Sequence, residues 1–342
     1  MVEITLGKKV IKKDGKDFYI IAEIGTNYLE WAHYKSISNM EAAKFLIAAA
    51  ALNGADAAKF QIYDVDKLIS KNALKHEGKS NQLSYDNYFE LMDYCKEKNI
   101  DFAASLFDEE AVSTFGSYLD YFKIASPDII CEKLIKKIAL YEKPVLISTG
   151  AATFQEITQA TKWMALQQNF DSCVMHCVSA YPTPKENTNL GAIKKLHKVL
   201  PYVIGYSDHC KFDLGVLSAA YLLGARVIEK HFTLGDSWFE SGDHPHSMTT
   251  YQLSLLCKEL KSLSETLYNP IDGYLPIEEN IRKYARRSAV AKTFICAGQV
   301  ITDNLISFLR PGTGITNIKD VIGKVAKNNI KKGYIIRRNE IS

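Results

Sequence analysis

The chain has 342 residues, 47% of them hydrophobic, which is enough for one large barrel or sheet domain with a small partner. Its 42 basic and 39 acidic residues leave a formal charge of +3, so the overall balance marks no nucleic-acid binder. The lysine-rich residues 1–16 precede no signal-length apolar segment, and no apolar run approaches the roughly 20 residues of a membrane span; a cytoplasmic protein with no membrane partner is expected.

From residue 18, short apolar runs alternate with longer amphipathic ones. The runs 18–24, 57–60, 102–105, 121–124, 145–148, 173–178, 202–204 and 226–228 are expected strands. Expected helices are 40–52, 85–98, 109–118, 133–141, 156–166, 190–200 and 212–223. Eight strands alternating with helices over about 260 residues point to an α/β fold, a closed (β/α)8 TIM barrel rather than an open doubly wound sheet. A long amphipathic helix at 249–267 follows, then a Pro- and Gly-bearing linker at 268–276 and a short charged helix at 277–284. From Ser288 the pattern changes to short strands with turns at Ala297-Gly298, Pro311-Gly312 and Lys332-Gly333, a module of about 55 residues with a small core. The expected domains are a catalytic barrel over 1–268, a linker over 269–284 and a small domain over 285–342. Seven cysteines, odd in number and scattered, are read as reduced and mostly in the core. Cys177 beside His176 and Cys210 beside His209 lack the paired close spacing of structural zinc sites.

In such a barrel the reactive groups lie where strands end and the following loops begin. Polar residues there are ordinary, because loops are wet. Lys59 and Lys123 are not ordinary, since an ammonium inside an apolar strand needs an anionic partner, supplied by Glu23 and Glu229 or by an anionic ligand. With Ser126, Ser148 and Ser207 nearby, a phosphate or carboxylate is a good candidate. His209 and His231 end two apolar runs of one βαβ unit, which brings both to the same barrel edge. They can converge on one ion or ligand, with a metal the leading reading.

Several motifs, in this order, resemble those of the sialic acid synthase family. They are Ala22-Glu23-Ile24-Gly25, Gly54-Ala55-Asp56-Ala57-Ala58-Lys59-Phe60-Gln61, Lys123-Ile124-Ala125-Ser126, Ser148-Thr149-Gly150, and His176-Cys177 with Tyr181-Pro182-Thr183-Pro184. Gly205-Tyr206-Ser207-Asp208-His209 and Glu229-Lys230-His231-Phe232 complete the barrel set. Arg286-Arg287-Ser288 and Arg310-Pro311-Gly312 resemble the family's carboxyl-terminal antifreeze-like (SAF, β-clip) domain.

The resemblance implies an N-acetylneuraminate synthase, a transferase joining phosphoenolpyruvate to open-chain N-acetylmannosamine. Lys59, Gln61, Lys123, Ser126, Ser148 and Ser207 would bind phosphoenolpyruvate. His209 and His231 would hold a divalent ion, manganese ahead of magnesium or cobalt. Glu23, Glu229 and Asp128 match carboxylates at the reacting centre, and Tyr181, Asp243 and Arg310 face the sugar. Arg310 would be lent from one subunit to the other's barrel, which implies a domain-swapped homodimer. Three departures lie on the sugar side. Asn27-Tyr28-Leu29-Glu30 and the aromatic residues 31–34 replace the usual Asn-His-x-Gly loop, Asp128 stands for glutamate, and Ser179 stands where some members carry asparagine. Alternatives are a legionaminic or pseudaminic acid synthase using a 2,4-diacetamido-2,4,6-trideoxyhexose, a Schiff-base aldolase working through Lys59 or Lys123, and a non-catalytic sugar-binding protein.

Overall fold

The computed structural model describes residues 2–70, 83–165, 171–234, 242–267 and 273–342. Its contacts divide the chain into two compact units, Met1–Tyr268 and Asn269–Ser342, so the described residues 273–284 group with the second unit. Of the expected linker, residues 268–272 lie outside the described residues.

The first unit opens with an antiparallel hairpin of β1 (Glu3–Leu6) and β2 (Lys9–Lys12). The expected elements begin only at residue 18 and do not include this hairpin. A period-two pattern explains the hairpin, because Ile4, Leu6 and Ile11 are buried while their neighbours are not. Eight parallel strands follow: β3 (Tyr19–Gly25), β4 (Ala57–Ile62), β5 (Asp101–Leu106), β6 (Phe122–Ile124), β7 (Val145–Ser148), β8 (Ser172–Cys177), β9 (Val203–Asp208) and β10 (Ala225–His231). They close into a barrel because β10 pairs with β3. The last two run past their expected ends, to Asp208 and His231, so Ser207, Asp208, Glu229 and His231 lie on the strands themselves and His209 directly follows one.

Alternate residues of each strand part into two cores. Tyr19, Ile21, Ala57, Tyr121, Leu146, Met175 and Val227 pack together with Ile4, Leu6 and Ile11 of the hairpin. Ile20, Ala22, Ala58, Phe60, Phe122, Val145 and Val174 pack instead with the helix layer. This alternation places the site. Glu23 lies two residues beyond Ile21, Lys59 beyond Ala57, Lys123 beyond Tyr121, Ser148 beyond Leu146 and Glu229 beyond Val227, so all share the inner face above an apolar floor.

The surrounding helices are α1 (Asn27–Lys35), α2 (Asn39–Leu52), α3 (Val65–Leu68), α4 (Tyr85–Glu97), α5 (Glu109–Phe115), α6 (Glu132–Ala139), α7 (Phe154–Ala165), α8 (Gly191–Val199), α9 (Leu214–Leu222) and α10 (Thr250–Thr266). Capping boxes start four of them, with Ser38 and Glu41 at α2, Ser84 and Asn87 at α4, Thr153 and Glu156 at α7, and Thr249 and Gln252 at α10. The remodelled segment after Asn27 is the helix α1 rather than a loop. Tyr28 turns into the helix layer, with its ring 6.2 Å from that of Phe60. Asn27 Nδ2 donates to Phe232 O and Ser247 Oγ, both at 3.0 Å, and so ties the start of α1 to the chain beyond β10. No helix among the described residues is long and apolar enough to cross a membrane.

The second unit holds a short helix, α11 (Glu279–Ala285), and an antiparallel pair, β11 (Ser288–Ala291) with β12 (Ile306–Leu309). Isolated bridges such as Ile295 to Ile330 and Val300 to Val325 complete it around a core that includes Ala289, Ile295, Ile301, Ile315 and Ile336. Gly298 and Gly333 take the expected turns at φ of +79° and +82°, a conformation open to glycine. All seven cysteines are free, but only Cys95, Cys173, Cys177 and Cys210 are buried. Cys131 and Cys296 are exposed: Cys131 caps a surface turn whose neighbour Ile130 also faces solvent, so an apolar run does not guarantee burial there.

Candidate active site

The carboxyl ends of the barrel strands enclose a cavity with a water-accessible volume of about 280 Å³. That is near the lower end of small-molecule sites, roughly 300–1,000 Å³, and suits small metabolites better than a nucleotide cofactor. Twelve of the sequence-derived site residues line it: Glu23, Lys59, Gln61, Lys123, Ser126, Ser148, Tyr181, Ser207, His209, Glu229, His231 and Asp243. Asp128 does not line it, and Arg310 lies exposed in the second unit. Ser105 and Phe107 at the end of β5 are part of the wall.

Two ammonium groups and two carboxylates form the floor of this cavity. Lys59 Nζ stands 2.6 Å from Glu23 Oε2 and 3.6 Å from Glu229 Oε2, and donates to Ser105 Oγ at 3.1 Å. Lys123 Nζ donates to Ser148 Oγ at 2.7 Å and lies 3.8 Å from Glu229 Oε1. Ser207 Oγ donates to Glu229 Oε1 at 2.8 Å, and Gln61 Nε2 to Glu23 Oε1 at 2.9 Å. All four charged groups are no more than 5% exposed, so each depends on the others for compensation.

The surroundings shift these groups differently. Burial raises the Glu23 carboxyl above its usual range, more than the neighbouring Lys59 ammonium can offset, and the nearby Glu229 carboxylate adds to the rise. Burial also works against Glu229, yet Lys123, Lys59 and the Ser207 hydroxyl hold it below its usual range. Burial opposes the Lys59 charge, but Glu229 and Glu23 carry it above the ordinary lysine value. Lys123 is pushed downward, chiefly by burial.

Beside this floor the loop ends gather imidazoles. His209 Nδ1 shares a hydrogen bond of 2.8 Å with Val178 O, so Nδ1 carries the proton and Nε2 keeps its lone pair when the ring is neutral. His231 Nδ1 lies 3.3 Å from Asp243 Oδ2, and His246 Nε2 lies 3.6 Å from Asp243 Oδ1. Ligating atoms of His231, Asp243 and His246 all fall within 4.8 Å of one another. Burial favours the neutral form of His209 and His231, and it lowers His246 to about 4. His231 Nδ1 and both ring nitrogens of His246 have no hydrogen-bond partner among the described residues. Leaving buried polar atoms unsatisfied costs about 1–3 kcal/mol each. Neutral, buried nitrogens beside a carboxylate are the donor set a divalent ion requires, so these residues fit a metal. The Tyr181 ring packs tilted against the group, 4.3 Å from the His209 ring centroid and 5.3 Å from that of His246.

His246 escaped the sequence reading. Its signal was available, because Asp243-His244-Pro245-His246 follows β10 closely and puts a second imidazole three residues from the carboxylate chosen for the sugar. The other half of Glu229-Lys230-His231 faces the opposite way. Lys230 Nζ pairs with Asp208 Oδ2 at 2.5 Å in a fully buried contact, and Tyr206 OH donates to Asp208 Oδ1 at 2.8 Å. His176 likewise faces out of the barrel and bonds Thr188 O through Nε2 at 2.8 Å.

Residues 46–271 match the NeuB family and residues 286–342 the SAF domain. The chain is 35% identical to an uncharacterized protein of Methanocaldococcus jannaschii over 98% of both chains. It is 32% identical to the N,N'-diacetyllegionaminic acid synthase of Campylobacter jejuni, over 94% of this chain and 99% of that one. The crystal structure of an N-acetylneuraminic acid (sialic acid) synthetase from Leptospira borgpetersenii superposes with a TM-score of 0.71 at 28% identity, covering 81% of this chain and 94% of that one.

Proposed function

The chain belongs to the NeuB family, as a transferase of the nonulosonic acid synthase type with a SAF domain, and from that premise we propose that it condenses phosphoenolpyruvate with open-chain N-acetylmannosamine. The products would be a nine-carbon 2-keto sugar acid and phosphate. The observation that carries this reading is the pair of buried lysines, each bonded to a serine hydroxyl, set between two carboxylates whose proton affinities are driven apart. Such a floor binds a small multiply charged anion and also supplies a base.

Lys59 and Lys123, with Gln61 and the hydroxyls of Ser126, Ser148 and Ser207, would grip the phosphate and carboxylate of phosphoenolpyruvate. Tyr181 and Asp243 would face the sugar. His209 and His231 would hold a divalent ion, manganese in this reading, which when bound supplies Lewis-acid polarisation of the aldehyde oxygen. As C3 of phosphoenolpyruvate bonds to the aldehyde carbon, positive charge develops at C2 and the aldehyde oxygen takes up a proton from solvent, to which Glu23 later returns the one it accepts. The ionised Glu229 would stabilise the charge at C2. Glu23 would take a proton from the water that adds there. The C2–O bond to phosphate then breaks, the departing phosphate takes the proton of the new hydroxyl and the ketone forms. Arg310 lent to the other subunit's barrel, in a domain-swapped homodimer, completes the proposal on the sugar side.

A second acceptor has one specific observation in its favour, the nearly full-length similarity to a legionaminic acid synthase. The test is phosphate release from phosphoenolpyruvate with manganese present, comparing N-acetylmannosamine, its 6-phosphate and 2,4-diacetamido-2,4,6-trideoxymannose, with a chelator control. Chelator-sensitive release that is fastest with N-acetylmannosamine is expected. A strong preference for the deoxy sugar moves the chain to the legionaminic branch, and covalent trapping by borohydride moves it to Schiff-base chemistry.

A further inference from the structure

We propose that His246 is a third imidazole ligand of the divalent-ion site, joining His209 and His231 with Asp243 at its side. The inference rests on the metal part of the reading above and goes beyond its two histidines.

Three observations carry it. First, His246 is 1% exposed, and neither of its ring nitrogens has a hydrogen-bond partner among the described residues. A histidine that merely fills a core satisfies at least one nitrogen, as His176 does with Thr188 O, so His246 is aimed at something other than the protein. Second, ligating atoms of His231, Asp243 and His246 lie within 4.8 Å of one another, close enough for one ion to replace the missing partners. Third, the His209, His231 and His246 ring centroids are separated by 4.7, 5.7 and 6.2 Å. With metal–nitrogen bonds of ~2.1 Å, rings on a common ion stand roughly 4.5–6 Å apart, so the His231–His246 and His209–His231 spacings suit one ion and His209 and His246 take the wider angle across it.

Three nitrogens and a carboxylate make a donor set suited to first-row transition ions. Magnesium, which prefers oxygen ligands and retains its water, would be held poorly. The third imidazole thus sets which ion the site retains, and it comes from a turn outside the barrel strands.

The experiment uses the full chain, stripped by a chelator and titrated with cobalt(II) alone. Calorimetry gives the dissociation constant, and proton NMR counts the paramagnetically shifted exchangeable imidazole N–H signals, one per bound histidine. The wild type should show three signals. His246→Phe, which keeps a flat ring and loses both nitrogens, should show two and bind cobalt at least tenfold more weakly, with a smaller change for magnesium. Two signals in the wild type overturn the role of His246 and leave the two-histidine site standing; this count needs no variant to fold. An unchanged cobalt affinity in a folded His246→Phe overturns it as well. A wild type that binds no cobalt sinks the metal reading together with this inference. Three signals without phosphate release from any acceptor keep the ligand and remove the proposed reaction.

Discussion

Glu23 and Glu229 converge on one ammonium, with carboxylate oxygens 2.6 and 3.6 Å from Lys59 Nζ, yet their surroundings move them in opposite directions. Glu23 is lifted by burial. Glu229 is equally buried, but it is held down by Lys123, Lys59 and the Ser207 hydroxyl. Two carboxylates separated in this way divide the labour of a reaction, one exchanging protons and the other remaining charged.

That division predicts the pH profile. A base works when deprotonated, so kcat/KM should fall as pH drops through the raised Glu23 value, with its acid limb above the ordinary glutamate position of about 4.3. Glu23→Gln should cost ~10²–10⁴-fold in kcat and remove the limb. Glu229→Gln should lower the rate and leave the limb in place. Steady-state kinetics of phosphate release across pH 4–8 separates them, and an acid limb that survives in Glu23→Gln would return the base role to Glu229.

The same contacts predict stability. Lys59→Met leaves Glu23 and Glu229 facing each other in a buried floor, and breaking a buried pair this way costs roughly 3–5 kcal/mol. Adding Glu23→Gln should restore part of the loss. Lys123→Met should cost less, because burial already pushes that ammonium towards its neutral form. Urea unfolding midpoints of the three variants should therefore rank as Lys59→Met, then the double variant, then Lys123→Met, from least to most stable.

Most of this floor was legible in the sequence because barrel strands turn position into direction. Lys59 and Lys123 stood out as charges inside apolar runs, and a period of two fixed their faces once the runs were recognised as strands. His246 and the helix after Asn27 were less legible for a shared reason. Both lie in connections, where no periodicity states which way a side chain turns, so the pairing of His246 with His231 and Asp243 emerges only from tertiary geometry. The amino-terminal hairpin hid behind its lysines, although Ile4, Leu6 and Ile11 already carried the pattern.

The aromatic segment after Asn27 had offered a route to acceptor choice, and Tyr28 now argues against that route. It is fully buried, with its hydroxyl 3.5 Å from that of Tyr88. The hydroxyl also accepts from Leu83 N at 3.5 Å, so Tyr28→Phe, which removes two long hydrogen bonds, should cost about 1–2 kcal/mol of stability. The ratio of kcat/KM for N-acetylmannosamine and the diacetamido deoxy sugar should stay unchanged. A shift in that ratio beyond about threefold, on the scale of a small pocket contact, would place Tyr28 against the substrate.

Asp128 separates a structural from a catalytic role most sharply. Its half-buried carboxyl is pushed up to about 6 by burial, and Lys123 offsets only part of the rise. An unfolded aspartate titrates near ~3.9, so between about pH 4 and 6 the native chain binds more protons than the unfolded one. Stability from this group therefore falls as pH rises through that window, and the penalty is complete above it. Asp128→Asn keeps the shape and removes the charge. The full shift corresponds to roughly 3 kcal/mol, and solvent screening at a half-exposed site brings the expected gain to about 1 kcal/mol at pH 7.5, fading to nothing near pH 4. Thermal unfolding should show a rise of ~2 °C at the higher pH only. Because Asp128 does not line the cavity, kcat/KM for phosphoenolpyruvate should stay within about threefold of wild type. A hundredfold fall with the stability gain intact would instead mean that the carboxylate swings into the cavity when the sugar binds, and would bear out the catalytic role expected of Asp128.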